Sequence, residues 1–494
     1  MKLKQIAFAV ATTLAAGSSF AAMTQDQIDI LDDANLNGRV IFVSGASAVQ
    51  KGITGIAATL FDDSTVTPFY LGNAADITGS SYLAIAGVLG GSSAWAGQNV
   101  IYVERTKGGS VWGVDPVARG TAIESLNVTS GTCGTAGTGT SANAYTCTLT
   151  NGTTVAHVVP DAGISDVAPA LFKGPYNTEG EVAAPSLTDD ELADLAITPI
   201  YGLAFGVSVT KNVGMIDLSK ADMSNIYAGN VNTWSKIKST ETGNMVVCRR
   251  VPGSGTQAVF NMYFGQYPCT TDFNAPASRL SNQAGVWNDA TNTYTVGADQ
   301  TKLVVIENSG SGEVRKCLDA AYDSSTKAND GNYTTYETFD RDGASVTVKF
   351  QNGIAHKAVG VLSMDSLSSS KTSAKWQFRS LDGAGTIVQD VNASTAPTTS
   401  GTGKFPTFAN YENGNWDMQG WISFNLPSRT VGDKADVLAE FVAAAQDPAV
   451  LQSVSSLKFV AAGIPGNGYT GVNVLDAKYL NGNQCAPYNR TNAD

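Results

Sequence analysis

A short loop of glycine and hydroxyl residues follows two arginines near the middle of the chain. Residues 253–256 read GSGT, and Arg249 and Arg250 stand just before them. A loop of this kind at the start of a helix leaves backbone N–H groups unpaired at the positive end of the helix dipole. Arginine side chains and two hydroxyls beside such a loop suit a tetrahedral oxyanion. The sequence therefore predicts an anion site here.

Other kinds of chemistry are disfavoured by what the chain lacks. A Walker loop requires the pattern GxxxxGK[ST], and residues 253–256 have no such lysine. With only two histidines, His157 and His356, and no CxxC pair, we expect neither a metal centre nor a cofactor. A hydrolase with Ser254 or Ser311 as nucleophile would need one of these two histidines as its base.

The elements that must position the loop alternate between strands and helices. Residues 44–48 (SGASA) join a β-branched run to a helical stretch, which is the start of an α/β unit. Ser219 is the predicted N-cap of a further helix. Other predicted helices span residues 24–36 (with Thr24 as N-cap), 187–195, 257–264 and 437–445, and predicted strands span 39–43, 302–306 and 358–362.

The composition indicates a globular protein of two to three domains rather than a disordered one. The chain has 494 residues, of which 43% are hydrophobic and 15% are charged. Its net charge of −12 disfavours nucleic acid as the main partner, because phosphate backbones are bound by clustered Lys and Arg. One small anion held by neutral dipoles and a single arginine is compatible with this acidity.

The amino terminus predicts export from the cytoplasm. Lys2 and Lys4 precede an apolar run over residues 6–16, and Ser19 and Ala21 fit a small-x-small cleavage site. Residues 1–21 are therefore predicted to be a secretory signal peptide, since the run is too short to span a bilayer. We expect a periplasmic protein without an integral membrane segment, or alternatively one secreted outside the cell.

The cysteines fit an oxidising compartment. An even count of six predicts disulfides, but six cysteines allow 15 connectivities. The pairings we expect are Cys133–Cys147, Cys248–Cys269 and Cys317–Cys485. The first is favoured because it brackets a Thr/Ser/Gly/Ala-rich stretch within residues 127–154, which we interpret, like residues 392–403, as a surface insertion.

Four segments occur in an order that resembles a known family. They are residues 44–48 (SGASA), 163–169 (GISDVAP), 218–234 (LSKADMSNIYAGNVNTW) and 250–256 (RVPGSGT). Together they resemble the periplasmic phosphate-binding proteins that serve ABC transporters, in patches between residues 39 and 361. Two features depart from that family. Val49 and Gln50 stand where a Thr-Phe pair is usual, and the chain is longer than is usual there.

The resemblance implies an α/β, two-lobed periplasmic-binding-protein-like fold with a ligand cleft between the lobes and additional loop insertions. Lobe 1 would comprise residues 38–198 and 356–494, with an insertion at about 127–154, and lobe 2 would comprise residues 199–355. The chain would cross between the lobes near residues 197–209 and return near 354–362.

The resemblance also implies a set of ligand-binding residues: Ser47, Ala48, Ser110, Asp166, Arg250, Ser254, Gly255 and Thr256. The last four would bind phosphate oxygens from lobe 2. The ionised Asp166 carboxylate would accept a hydrogen bond from protonated phosphate and repel fully ionised sulfate.

The function that the resemblance implies is solute binding rather than catalysis. The ligand would be inorganic phosphate or a similar tetrahedral oxyanion, and the partner would be an ABC permease in the inner membrane. The alternative is a secreted binding or adhesion protein on the same scaffold, in which the inserted loops carry the function.

Overall fold

A computed structural model of the chain describes residues 22–71, 81–134, 136–140, 143–178, 185–214, 217–270, 285–299, 303–328, 331–339, 344–364, 366, 374–382, 385–388, 398–401, 416, 418–454, 475–479, 485 and 488–492. The predicted signal peptide lies outside these residues, as does most of the stretch 392–403.

The helices alternate with strands along most of the chain. The α-helices are α1 (Gln25–Leu36), α2 (Gln50–Ala58), α3 (Asp115–Arg119), α4 (Asp189–Ala193), α5 (Lys220–Tyr227), α6 (Gly255–Gly265), α7 (Ser311–Thr326), α8 (Asp433–Gln446) and α9 (Pro448–Ser453). Short 3-10 helices span Ser110–Gly113, Pro169–Leu171 and Trp234–Lys236.

The strands of the first part of the chain are β1 (Val40–Gly45), β2 (Thr67–Leu71), β3 (Tyr82–Val88), β4 (Asn99–Arg105), β5 (Leu126–Asn127), β6 (Tyr145–Leu149), β7 (Ala162–Ser165), β8 (Leu195–Thr210), β9 (Asp217–Leu218), β10 (Asn244–Arg250), β11 (Gly285–Asn288) and β12 (Thr293–Val296). The later strands are β13 (Val304–Asn308), β14 (Tyr333–Phe339), β15 (Ser345–Gln351), β16 (His356–Ser363), β17 (Trp376–Phe378), β18 (Ser380–Leu381), β19 (Gly385–Val388), β20 (Thr398–Gly401), β21 (Gln419–Pro427), β22 (Leu475–Tyr479) and β23 (Tyr488–Asn492).

Side-chain capping explains where several helices begin. Thr24 and Ser219 are the N-caps of α1 and α5, as the sequence predicted, and the structure shows that each forms a capping box. Thr188 forms another at α4. Ser254 caps α6 by accepting a hydrogen bond from the Gln257 N–H. The predicted helices and strands are thus confirmed, with their ends shifted by a few residues.

One large sheet runs through the molecule. Its order is β13-β10-β16-β8-β21-β7-β1-β4-β3-β2-β6-β5, and β17 also pairs with β8. We call β7, β1, β4, β3, β2, β6 and β5 the first half-sheet, and β16, β10 and β13 the second half-sheet. β8 joins them, because its first part pairs with β21 and its second part pairs with β16.

The pairing directions give each half-sheet a set of parallel strands. β1 runs parallel to β4 and β7, while β10 runs parallel to β13 and β16. Helix α7 packs on β16 and β10, and α1 packs on β3 and β4. Parallel strands covered by helices are the hallmark of an α/β protein. The fold class expected from the sequence is confirmed.

The stretch 127–154 is joined to the first half-sheet. Within it, β6 pairs parallel with β2, and the Tyr145 ring lies 6.0 Å from the Phe69 ring. Tyr145 and Cys147 belong to a buried cluster under α1, together with Leu31 and Phe42. The stretch therefore extends the sheet and contributes to its core.

A second sheet stands beside the second half-sheet. Its four strands have the order β11-β12-β15-β14, and α7 packs against it as well. Along β15 the buried residues alternate, so Val346, Val348 and Phe350 face inward. This small sheet encloses the far side of α7.

The disulfides correct two of the three expected pairings. Cys133–Cys147 is present as predicted, but the others are Cys248–Cys317 and Cys269–Cys485. The expected pairs Cys248–Cys269 and Cys317–Cys485 are wrong. β10 places Cys248 in the interior, where α7 packs over it, whereas Cys269 follows the far end of α6. Packing of sheet and helix decides this pairing, and cysteine spacing does not reveal it.

Among the helices of the described part of the chain, none is long and apolar enough to cross a membrane.

Candidate functional site

The ends of parallel strands from both half-sheets meet in one place. β1, β4 and β7 end shortly before Ser47, Ser110 and Asp166, and β10 ends at Arg250. Ligands of open α/β sheets bind outside the carboxyl ends of the strands, where the loops converge. The side chains predicted to bind the anion therefore occupy the usual position for such a site.

Glycines allow the loop after β4 to lie on the ends of β1 and β7. A methyl group on Gly113 would stand 2.3 Å from the Ile164 carbonyl oxygen, and one on Gly163 would stand 2.0 Å from the Gly113 oxygen. Only glycine fits at these two positions. The close approach brings Ser110 to the end of β7, where its hydroxyl accepts a hydrogen bond from the Asp166 N–H at 3.2 Å.

The Arg250 guanidinium lies at the centre of the site. The residue is 1% exposed. Its Nη2 donates to the Ser309 carbonyl oxygen at 2.6 Å and to Ser47 Oγ at 3.1 Å. Its Nη1 donates to Ser311 Oγ at 3.3 Å, and its Nε donates to the Asn308 carbonyl oxygen at 3.3 Å. These four partners are neutral oxygen atoms, and the contacts fix the direction of the guanidinium.

The GSGT loop contacts the first half-sheet directly. Thr256 Oγ1 donates to Asp166 Oδ2 at 3.0 Å, and the Val111 N–H donates to the Gly253 carbonyl oxygen at 2.8 Å. A methyl group on Gly255 would lie 2.4 Å from Ser110 Oγ. The lack of a side chain at Gly255 is thus what allows the two half-sheets to approach so closely.

The structure brings the predicted residues together. Ser47, Ser110, Asp166, Arg250, Gly255 and Thr256 form one contact network, and Ser254 caps the helix that this network surrounds. Ala48 is buried beside them, and its carbonyl oxygen accepts from Ser363 Oγ at 3.5 Å. Their role in ligand binding stays a prediction.

Three helices begin close to the Arg250 guanidinium. α6 and α7 both begin within this network, and α2 begins just after Ser47. The first turns of α6 and α7, and that of α2 next to Ser47, therefore lie near the Arg250 guanidinium, and the unpaired N–H groups of such a turn carry partial positive charge. At the start of α2 the N-cap is Val49, which makes no side-chain capping bond. The threonine hydroxyl that the family resemblance leads us to expect at this position is therefore not replaced by a side-chain cap.

A buried carboxyl lies beneath α2. Burial raises the pKa of Glu104 to about 8, and hydrogen bonds from Thr54 and Tyr102 oppose that rise. The Thr54 hydroxyl, on α2, lies 3.1 Å from Glu104 Oε2 and also donates to the Gln50 carbonyl oxygen. At neutral pH the raised pKa therefore favours the protonated, uncharged form of Glu104.

Sequence reasoning missed the segment that holds the guanidinium. Asn308 and Ser309 were not predicted as site residues, and Ser311 was considered only as a nucleophile. The signal was present, because residues 309–312 read SGSG between a strand and a helix. That pattern repeats the small-residue junction at residues 253–256.

The histidines do not lie beside Ser254 and Ser311, the two serines considered as nucleophiles of a hydrolase. His356 begins β16 and pairs with Asn244 on the parallel strand β10. Asn244 lies six positions before Arg250, so at the usual rise of a strand His356 is about 20 Å from Arg250. Burial lowers the pKa of His356 to about 4. His157 is exposed on the segment that leads into β7, whereas Ser254 is buried. In the residues that the structure describes there is no cluster of three or more His, Cys, Asp or Glu that could hold a metal ion.

Comparison with solved structures finds similar folds at low identity. One is a substrate-binding protein assigned to phosphate ABC transport from Clostridium perfringens, with bound phosphate (12% identity, TM-score 0.41, covering 85% of this chain and 98% of that one). Another is an ABC-type phosphate transport receptor from Vibrio cholerae (12%, 0.31, covering 60% and 79%). A third is described as a possible phosphate binding protein from Planctomyces limnophilus (11%, 0.35, covering 86% and 93%).

No protein-family model matches the chain, and no curated protein matches it. The comparisons concern the fold, and no residue of this chain receives a role from them.

Proposed function

We propose that this chain is an extracytoplasmic solute-binding protein whose ligand is inorganic phosphate or a similar tetrahedral oxyanion. The observation that carries the proposal is the buried Arg250 guanidinium, which contacts Ser47 from the other half-sheet and Ser311 at the start of α7. A guanidinium, hydroxyls and helix N-termini stabilise a dianion without requiring a positively charged protein. The net charge of −12 is therefore compatible with this ligand.

Asp166 would select the protonation state of the ligand. Its Oδ2 accepts from Thr256, which directs the carboxylate at the GSGT loop. An ionised carboxylate accepts hydrogen bonds and cannot donate them. Hydrogen phosphate can supply the O–H that this carboxylate requires, and sulfate cannot. The chain would thus prefer phosphate through a repulsive element built into the site.

The partner and compartment in this proposal follow from the predicted signal peptide. The mature chain would begin at Ala22, act in the periplasm and deliver its ligand to an ABC permease. Amino-terminal sequencing of the protein from a periplasmic fraction tests the first part. Genes for a permease and an ATPase beside this gene would support uptake as the purpose of binding.

Titration calorimetry on anion-stripped protein tests ligand binding. We expect one phosphate per chain and, in Arg250→Lys, at least tenfold weaker binding, because one ammonium cannot replace the planar fork. The matched control is Arg119→Lys at the end of α3. The Arg119 Nε donates to Glu191 Oε1 of α4 at 2.7 Å, and Arg119 makes none of the contacts described for the site, so this change should alter affinity by less than twofold. A wild-type protein that gives neither heat nor a thermal shift with phosphate would show the proposal to be wrong.

A further inference from the structure

The Cys248–Cys317 disulfide lies directly behind the anion site. Cys248 stands on β10 two positions before Arg250, and Cys317 stands on α7 six positions after Ser311. Both cysteines are fully buried, and their Cα atoms are 6.0 Å apart. The bond therefore joins the strand that ends in the guanidinium to the helix whose first turn contacts it.

Three of the four guanidinium contacts described above come from the segment that leads into α7. The carbonyl oxygens of Asn308 and Ser309 accept from Nε and Nη2, and Ser311 Oγ accepts from Nη1. Two of these contacts measure 3.3 Å, near the long end of the hydrogen-bond range. A displacement of about half an ångström would break them, so the direction of the guanidinium depends on where α7 begins.

Hydrogen bonds fix the strand before α7 on both of its sides. β13 is fixed to β10 by a parallel ladder that reaches Arg250 and Asn308. From β14, the Tyr336 hydroxyl donates to Asn308 Oδ1 at 2.9 Å, and Thr338 Oγ1 accepts from the Ser309 N–H at 3.2 Å. These bonds end at Ser309, two residues before the hydroxyl that contacts Nη1.

Beyond Ser309, α7 packs on the sheet through apolar side chains, and its hydrogen bonds to neighbouring segments lie farther along the helix. Arg315 Nη1 donates to Ser366 Oγ at 3.3 Å, Asp319 Oδ1 accepts from the Lys375 N–H at 2.9 Å, and at the far end Ser325 Oγ donates to the His356 carbonyl oxygen at 3.0 Å. Of the apolar side chains, Val314, Leu318 and Ala321 are buried, and a methyl group added to Gly360 of β16 would stand 3.1 Å from Val314 Cγ1. Apolar packing is not directional, and packed helices slide by small amounts. The disulfide adds a covalent restraint about 9 Å along the helix axis from Ser311, at the usual rise of a helix.

We propose that the Cys248–Cys317 disulfide positions the Arg250 guanidinium for the anion by fixing the start of α7 against the end of β10. This inference rests on the proposed function, since it concerns the same site. It assigns to the disulfide a role in affinity that is separate from its contribution to the stability of the fold.

The test is titration calorimetry with phosphate on the double variant Cys248→Ala/Cys317→Ala, at a temperature well below its unfolding transition. We expect binding to weaken at least fivefold. The matched control is Cys133→Ala/Cys147→Ala, which removes a buried disulfide of the first half-sheet and should change affinity by less than twofold. Should the first variant fail to fold, Cys248→Val/Cys317→Ala fills more of the volume and carries the same expectation.

A double-mutant cycle separates positioning from general loosening of the fold. With the disulfide intact, Ser311→Ala should weaken binding by about threefold to tenfold, because the guanidinium loses one of its orienting partners. Without the disulfide, the same substitution should weaken binding by less than twofold, because the hydroxyl is already displaced. Independent effects would instead multiply.

The outcomes are distinguishable. A wild-type protein that binds no phosphate overturns the proposed function and this inference with it. A wild type and a disulfide variant of equal affinity overturn this inference alone, and so do multiplying effects of Ser311→Ala and disulfide removal.

Discussion

The Arg250 guanidinium donates to Ser47 Oγ at 3.1 Å and thereby joins two residues that are 203 positions apart. Ser47 follows β1 of the first half-sheet, and Arg250 ends β10 of the second. The bond therefore connects the two halves of the molecule through the same groups that are proposed to hold the anion. The same atoms would then hold the two half-sheets together and bind the ligand.

Removal of the Ser47 hydroxyl should weaken phosphate binding. A hydrogen bond to a charged group contributes about 1.5 kcal/mol or more, which corresponds to roughly tenfold in affinity. We expect Ser47→Ala to show that loss in titration calorimetry, and Ser453→Ala, on an exposed turn of α9, to bind as the wild type does. Equal affinities in the wild type and Ser47→Ala would mean that this hydroxyl does not contact the ligand.

Substitution of Asp166 by asparagine should change ligand selectivity. The amide can donate a hydrogen bond to a fully ionised oxygen, so Asp166→Asn should bind sulfate at least tenfold more tightly than the wild type does. The measurement is a pair of titrations with phosphate and sulfate. Asp189→Asn, at the exposed first turn of α4, serves as the control and should leave selectivity unchanged. An unaltered preference for phosphate in Asp166→Asn would contradict recognition of the ligand proton.

A methyl group at Gly255 should keep the half-sheets apart. It would lie 2.4 Å from Ser110 Oγ and 2.7 Å from Asp166 Cβ, and real Cβ atoms do not approach other atoms so closely. We expect Gly255→Ala to weaken phosphate binding at least tenfold and to enlarge the radius of gyration measured by small-angle X-ray scattering.

The control for that substitution is Gly131→Ala. An added methyl group there meets only Thr129 Oγ1, at 3.9 Å. It should leave both the affinity and the scattering curve unchanged. A Gly255→Ala protein that binds phosphate normally would show that the half-sheets need not pack so tightly around the ligand.

Glu104 should make the fold less stable as the pH rises. Burial raises its pKa from 4.5 to about 8, so between these values the folded state retains a proton that the unfolded state has lost. Stability must therefore fall as pH rises through this window, by about 3 kcal/mol at pH 7. Glu104→Gln should recover part of that free energy at pH 7 and flatten the profile between pH 5 and 8 in denaturant titrations.

Glu191 provides the opposite case for comparison. A hydrogen bond from Arg119 lowers its pKa to about 2, so the folded state favours the ionised carboxylate. Glu191→Gln should therefore lower stability at pH 7, the reverse of the change expected at Glu104. Identical pH profiles for the wild type and Glu104→Gln would show that Glu104 does not titrate with a raised pKa.

Local patterns in the sequence predicted the elements and much of the site. Thr24 and Ser219 were recognisable as N-caps, because a capping box needs only residues three positions apart. The GSGT loop after Arg250 was recognisable because its residues are consecutive in the sequence. Asp166 and Ser110 came from the resemblance to a family, and the structure places both beside Gly255.

The sequence by itself determined the α/β class, the helix starts and the kind of chemistry that the GSGT loop supports, since these follow from propensities and spacing over a few residues. Tertiary structure alone decided that Cys248 pairs with Cys317 and that Asn308, Ser309 and Ser311 orient the guanidinium. Those contacts depend on β13 lying beside β10 and on α7 packing across both. Strand order is a property of the whole chain, because each strand finds its neighbours through burial of the complete sheet.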